Sequence, residues 1–188
     1  GCVEDVQSLK QGIRLKISTH YDIDSLQIGG SIACSGICLT IIELAPKQAT
    51  TNWFAVEAWE ETLRLTNLTQ WTKGTFINLE RSLRLGDEMG GHLVSGHIDG
   101  LSEVIDQKNE GDAVRFYLKV PTRLSPFIVS KGSVALDGTS LTVNSVKNSI
   151  FDVLIIRYTL EMTTWGQVKI GDQINLEVDQ LARYVARL

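Results

Sequence analysis

The sequence predicts an all-β protein built from two tandem copies of a small closed barrel. Three observations carry that expectation: an ordered internal self-match, short runs of alternating polarity at roughly ten-residue spacing, and Gly-containing turns between the runs.

The self-match has several blocks in one order. Gly29-Gly30-Ser31-Ile32-Ala33-Cys34-Ser35-Gly36-Ile37-Cys38-Leu39-Thr40 lies against Lys131-Gly132-Ser133-Val134-Ala135-Leu136-Asp137-Gly138-Thr139-Ser140-Leu141-Thr142. Thr62-Leu63-x-x-Thr66 then matches Thr159-Leu160-x-x-Thr163, and Gly74 with Asn78-Leu79-Glu80 matches Gly171 with Asn175-Leu176-Glu177. The halves also open alike, Gly1-Cys2-Val3-Glu4 against Gly96-His97-Ile98-Asp99. Each copy takes about 90 residues, the size of a small domain. The segment Ser82–Ser95, with its Gly90-Gly91 pair, is the natural join, so the expected units are 1–87 and 88–188. No Pro-rich or Ser-rich linker is present, and the two units are expected to sit close together.

Alternation marks the strands: Arg14-Leu15-Lys16-Ile17-Ser18, Phe76-Ile77-Asn78-Leu79, Val114 to Val120 and Gln173 to Val178. Helices are expected to be minor. One is predicted over Ser125 to Ser130, stopped by Lys131-Gly132 in the manner of a Gly cap. About a turn of helix is expected after Thr62 and after Thr159, and a last helix starts near Gln180.

Composition narrows the class. Of 188 residues 43% are hydrophobic and 21% charged, which excludes a disordered chain. The net charge of −4 argues against nucleic acid or an anionic membrane as partner. No stretch approaches the roughly 20 apolar residues of a membrane span, and no basic-then-apolar leader is seen, so a cytoplasmic protein is expected. Cys2, Cys34 and Cys38 are too few for a disulfide scaffold, and Cys34 and Cys38 read as reduced thiols. His92 and His97 are five apart, on opposite faces of a strand, which does not suit a metal site.

Two places could carry chemistry. By the period-two rule Cys38 and Thr40 share one strand face with Leu39 behind, and Ser140 and Thr142 share the copied face with Leu141 behind. The plain reading is a strand lined by small polar residues. The other is a pocket built twice whose copies specialise at Cys38 and Ser140. The second place is Gly90-Gly91-His92-Leu93-Val94-Ser95-Gly96-His97-Ile98-Asp99-Gly100, where glycines permit close approach and histidine titrates near neutrality. An inter-barrel turn with two exposed histidines is the alternative. Lys131 alone reads as a surface lysine, and Trp53, Trp59, Trp71 and Trp165 read as packing residues. No P-loop, dinucleotide fingerprint or nucleophile elbow is present.

The run from Asn78-Leu79-Glu80-Arg81 through Gly86-Asp87-Glu88-Met89 to that Gly-Gly-His segment resembles the riboflavin synthase family. Asp137-Gly138-x-Ser140-Leu141-Thr142-Val143 and Thr62-Leu63-Arg64-x-Thr66-Asn67 extend the resemblance to essentially the whole chain. It implies two six-stranded antiparallel Greek-key barrels, each holding one 6,7-dimethyl-8-ribityllumazine, in a homotrimer that pairs the N-barrel of one subunit with the C-barrel of another. It also implies the last step of riboflavin biosynthesis: one lumazine gives a four-carbon unit to another, yielding riboflavin and 5-amino-6-ribitylaminopyrimidinedione with no metal or cofactor. The acidic C7 methyl of the substrate then needs only a modest base, hydrogen-bond donors and orientation.

Carried over by position, the resemblance assigns Ser31, Cys38, Leu39 and Thr40 to the N-barrel site and Lys131, Ser140, Leu141 and Thr142 to the C-barrel site. It makes His97 the proton-transfer residue and Asp179 a further acid, with Ser140, Cys38 and Thr142 as the other catalytic candidates. Gly1, Cys2 and Val3, the segment Glu57-Ala58-Trp59-Glu60-Glu61-Thr62, Gly96 and Ile98, and Ile156-Arg157-Tyr158-Thr159-Leu160-Glu161 are expected to frame the rings and ribityl chains. Ile156-Arg157-Tyr158 replaces the family's usual Ile-Pro followed by His or Glu, so the C-barrel pocket edge is expected to differ. The family opens Met-Phe-Thr-Gly and carries a longer C-terminal helix, so a sequence running from Gly1 to Leu188 reads as trimmed at both ends. A non-catalytic antenna of the same fold is the rival reading, from the binding class. A flavin oxidoreductase would need a nicotinamide domain for which 188 residues used twice leave no room.

Overall fold

The computed structural model describes residues 1–188. The N-terminal sheet comprises β1 (Cys2–Leu9), β2 (Gly12–Ser18), β3 (Ser31–Cys34), β4 (Ile37–Leu44), β5 (Trp53–Trp59) and β6 (Leu79–Arg81), with α1 (Glu60–Leu65) after β5. The second half repeats it as β7 (Gly100–Glu110), β8 (Ala113–Lys119), β9 (Ser133–Leu136), β10 (Thr139–Lys147), β11 (Ile150–Ile155), α2 (Arg157–Met162) and β12 (Gln173–Val178). A short α3 (Gln180–Val185) follows.

All pairings are antiparallel, and both halves have one circular order. The N-terminal order is β1-β2-β5-β4-β3-β6; the C-terminal barrel runs β10-β11-β8-β7-β12-β9, which is the same circle in the copied strands. The C-terminal circle closes through the β7–β12 ladder. Its N-terminal counterpart is thinner: Val3 N–H donates to Thr75 O at 2.9 Å, Gly74 N–H to Val3 O at 2.8 Å and Ile77 N–H to Gly1 O at 3.0 Å. Phe76 therefore meets Cys2 in a lone bridge rather than in the predicted strand, and β6 starts only at Leu79.

These hydrogen bonds correct the reading of the opening residues. Val3 bonds Thr75 and Gly74 just as Val104 bonds Asp172 and Gly171, so Gly1-Cys2-Val3 is the structural copy of Ser102-Glu103-Val104, not of Gly96-His97-Ile98. Similar composition misaligned two segments whose ladder partners differ.

Each barrel has its own core. Leu15, Ile17, Ile32, Phe54 and Val56 centre the first, and Phe116, Leu118, Phe151, Leu136 and Trp165 the second. Each such side chain contributes about 1.5–3 kcal/mol by leaving water. The predicted helix over Ser125 to Ser130 shrinks to a 3-10 turn at Ser125–Phe127, because Ile128 is already extended and buries its side chain in the core; Pro126, in the first turn, is compatible with a helix start. Lys131, not Gly132, takes the left-handed conformation, with φ +67°. Thr62 and Thr159 lie inside α1 and α2 rather than ahead of them.

The barrels meet through a reciprocal clasp. Ser35-Gly36 and Asp137-Gly138 are two-residue turns with positive φ at both positions, the geometry that matches strand twist. They touch each other: a Cβ on Gly36 would lie 2.5 Å from Gly138 N. Asn78 reaches across to the second barrel, its Nδ2 donating to Asp137 O at 3.0 Å and its Oδ1 accepting Thr164 N–H at 2.9 Å. Asn175 reaches back, donating to Ser35 O at 3.0 Å and accepting Asn67 N–H at 2.9 Å. The two asparagines thus occupy copied positions in the repeat, each serving the other barrel.

Candidate functional site

The joining segment between β6 and β7 has no strand or helix and runs between the barrels. With the two turns it lines an open cleft of about 640 Å³. Among the residues lining it are Ser31, Cys38, Glu80, His92, Gly96 and Ser140. Two close approaches hold the segment in place. Gly96 lies on β4, where its carbonyl accepts Cys38 N–H at 2.9 Å and any Cβ would come 2.6 Å from Cys38 Cβ. Gly91 lies on β10, where a Cβ would come 2.5 Å from Ser140 Oγ.

The carboxylate of Glu177 accepts Ser95 N–H and Gly96 N–H, both at 2.8 Å. Burial pushes this carboxyl above the usual range, and the two amides pull it back. His92 Nδ1 is 2.7 Å from Ser140 Oγ, and its Nε2 is buried without a partner. Burial lowers the His92 pKa, while the negative charge of Asp179 opposes the shift. Asp179 itself caps α3, accepting Leu181 N–H at 2.9 Å. Asp137, fully buried, is pushed up from 3.8 to about 7 by desolvation, against hydrogen bonds from Asn175.

The alternation expected of the copied strands is present. Leu39 is buried while Cys38 is half-buried and Thr40 exposed; Leu141 packs on the core while Ser140 and Thr142 are exposed.

A model of the lumazine binding domain matches residues 1–82 and again 95–179. A riboflavin synthase of Brucella abortus is 60% identical over 188 residues, covering 100% of this chain and 93% of that protein. One from Bacillus subtilis is 33% identical, covering 100% and 85%. The chain belongs to the riboflavin synthase family. Family members are transferase-type enzymes acting on lumazine, and this chain is such an enzyme. A solved structure of LumP complexed with riboflavin has a TM-score of 0.83 at 21% identity, covering 95% of this chain and 94% of that one, which is a likeness of fold. A LumP complex with 6,7-dimethyl-8-(1'-D-ribityl) lumazine gives 0.80 at 20% identity, covering 95% and 94%.

Against the riboflavin synthase pattern the candidate residues fall into groups. Ser31, Cys38, Gly96 and Ser140 share the cavity between the barrels. Thr40, Leu141, Thr142 and Lys131 lie outside its lining, on the continuing strands and the turn before β9. His97 is exposed and next to the Glu177 clamp. Val3, Leu39 and Ala58 are core residues, so only their backbone can meet a ligand. Glu57 lies half-buried within β5, and Trp59, which ends the strand, Glu60 and Glu61 are exposed ahead of the half-buried Thr62. In the copied segment Ile156, Arg157, Tyr158 and Glu161 are exposed, with Thr159 and Leu160 half-buried, while Cys2 and Ile98 are half-buried. Gly1 and Glu161 line a second cavity of about 390 Å³ with Tyr21, Phe76 and Met162. Trp71 and Trp165 are core, Trp53 stacks under Lys16 Nζ at 4.2 Å, and Trp59 is 54% exposed.

His92 was visible in the sequence only as one of two histidines of the joining segment, with no role of its own, and Glu177 and Asp137 carried no signal as site residues. Nothing in a strand pattern marks a glutamate as a clamp for a loop 81 residues away.

Proposed function

We propose that the chain binds one 6,7-dimethyl-8-ribityllumazine at each barrel and moves a four-carbon unit between two of them, releasing riboflavin and 5-amino-6-ribitylaminopyrimidinedione. The observation that carries this reading is the duplicated outward face, Cys38 with Thr40 and Ser140 with Thr142, over buried Leu39 and packed Leu141. Two equal sites serve a reaction between two equal molecules, and holding both rings in register removes much of a bimolecular barrier. The ligands of the LumP structures, a ribityl lumazine and riboflavin, support the choice of small molecule.

In this reading Ser31, Cys38 and Thr40 contact one ring, and Lys131, Ser140 and Thr142 the other. His97 moves the C7 methyl proton, and Asp179 serves as a further acid. The two segments ahead of and within α1 and α2, with Gly1 to Val3, frame the ribityl chains. The working unit is a homotrimer with the N-barrel of one subunit against the C-barrel of the next, in the cytoplasm, and the division falls between 87 and 88. Exposed Ile156, Tyr158 and Met162 around α2, and Leu181, Tyr184 and Val185 on α3, support an apolar subunit contact.

Incubation with 6,7-dimethyl-8-ribityllumazine, followed by absorbance, is expected to give one riboflavin per two substrates consumed. His97→Ala is expected to lower kcat by about 100-fold, with a smaller change in lumazine affinity. A tightly held fluorescent ligand with no riboflavin formed would overturn the reading in favour of an antenna.

A further inference from the structure

Ser140 has two chemical roles open to it: adding to the heterocycle as a nucleophile, or donating its O–H to it. A serine hydroxyl has one proton and two lone pairs, so its neighbours decide which is free. His92 addresses Ser140 Oγ twice, through its backbone N–H at 3.3 Å and through Nδ1 at 2.7 Å. The other ring nitrogen, Nε2, is buried with no partner. An orphaned buried N–H is rarer than an unfilled acceptor, so the ring proton belongs on Nδ1. Both lone pairs of Ser140 then receive donors from one residue, and only its proton is left to face a ligand. Gly91 makes this approach possible, since a Cβ there would strike Oγ.

We propose, resting on the riboflavin synthase reading above, that His92 is a positioning residue that fixes Ser140 as a hydrogen-bond donor to the lumazine ring and not as a nucleophile. In the step it serves, the C7 methyl gives its proton to His97 and the electron pair spreads over the heterocycle. The Ser140 O–H hydrogen-bonds the developing negative charge, and no bond to Ser140 forms or breaks. The assignment does not depend on the charge of the ring, because Nδ1 carries hydrogen in the neutral form and in the cation. Asp179 is the charged group whose field favours the cation, and Glu80, Arg81, Glu88 and Asp137 line the same cavity.

The test compares variants for kcat, KM and pH profile. Ser140→Cys, a better nucleophile and a poor donor, is expected to lose about 100-fold in kcat, the loss typical of one oriented donor. Ser140→Thr, which keeps the O–H, is expected to stay within about tenfold of wild type. His92→Ala is expected to lower kcat about tenfold with KM little changed, and His92→Asn, whose Nδ2 can replace Nδ1 as donor, to recover most of that loss with an unshifted pH profile. Wild-type turnover by Ser140→Cys, a covalent adduct seen by mass spectrometry, or His92→Asn as poor as His92→Ala would overturn the proposal. The ¹⁵N shifts of the His92 ring in the free protein test it apart from turnover: an Nδ1–H form is expected, and an Nε2–H form sinks it. Failure of the wild type to make riboflavin would instead remove the functional reading, leaving the ring assignment to be judged by those shifts.

Discussion

The turn between β3 and β4 and its copy between β9 and β10 share a backbone and differ in what they bury. Both are tight two-residue turns, and both hand a polar strand face to the outside. In the first barrel Ser35 Oγ accepts Asn78 N–H at 3.3 Å; in the second the Asp137 carboxyl accepts Asn175 N–H at 2.9 Å. Glu80 lines the cavity without a hydrogen-bond partner, whereas its copy Glu177 grips two amides of the joining segment. The Cys38 thiol makes no hydrogen bond, its backbone N–H alone meeting Gly96 O, whereas Ser140 Oγ meets a histidine. The two copies share a frame, and only the second holds the joining segment by a carboxylate and has its hydroxyl met by that segment's histidine.

The sharpest way to break that symmetry is at the asparagines. Asn175→Ala removes three side-chain hydrogen bonds from a fully buried site, to Ser35 and to Asn67 twice, and is expected to cost about 4 kcal/mol in denaturant unfolding. Asn78→Ala removes two from a half-buried one and is expected to cost about 2 kcal/mol. Equal losses would mean that the clasp does not lean on the second barrel.

Next in size is the copied glutamate. Glu177→Gln leaves one oxygen for two N–H donors and is expected to cost about 2 kcal/mol, while Glu80→Gln stays within about 0.5 kcal/mol. Hydrogen exchange at Ser95 and Gly96 would check it, rising in the first variant only.

The effect of Asp137 is read as a slope with pH rather than as a single step. Its carboxyl rises from 3.8 to about 7 on folding, so between these values the folded state holds the extra proton. Its contribution to stability is therefore fully present below pH 3.8 and is lost as pH rises through about 7. Unfolding free energy of the wild type minus that of Asp137→Asn is expected to fall by about 1 kcal/mol per pH unit across this window. A flat difference would show that the carboxyl folds in its charged form.

Much of the fold was legible because period-two alternation and paired Gly turns are local signals. Leu15, Ile17, Phe116 and Leu118 declare their inward face by spacing alone. The register of the opening residues was not legible, because Gly1-Cys2-Val3 resembles Gly96-His97-Ile98 in type while its ladder partners lie at Gly74 to Ile77. The helix expected before Lys131 stops at Phe127 because Ile128 turns extended and enters the core, a tertiary demand that local composition does not show. Of the site, the Cys38 and Ser140 faces were visible, since a strand faces two ways and one way was apolar.

By itself the sequence determined the duplication, the barrel class, the polar faces of the copied strands and the family, since each is written in order and spacing along the chain. Tertiary structure alone decided that His92 rather than His97 meets Ser140, that Glu177 holds Gly96 on Cys38, and that Asn78 and Asn175 cross between barrels. Those contacts join residues 48 to 140 positions apart. Such a partner is chosen by how two packed barrels bring their turns together, and no local pattern of side chains encodes that meeting.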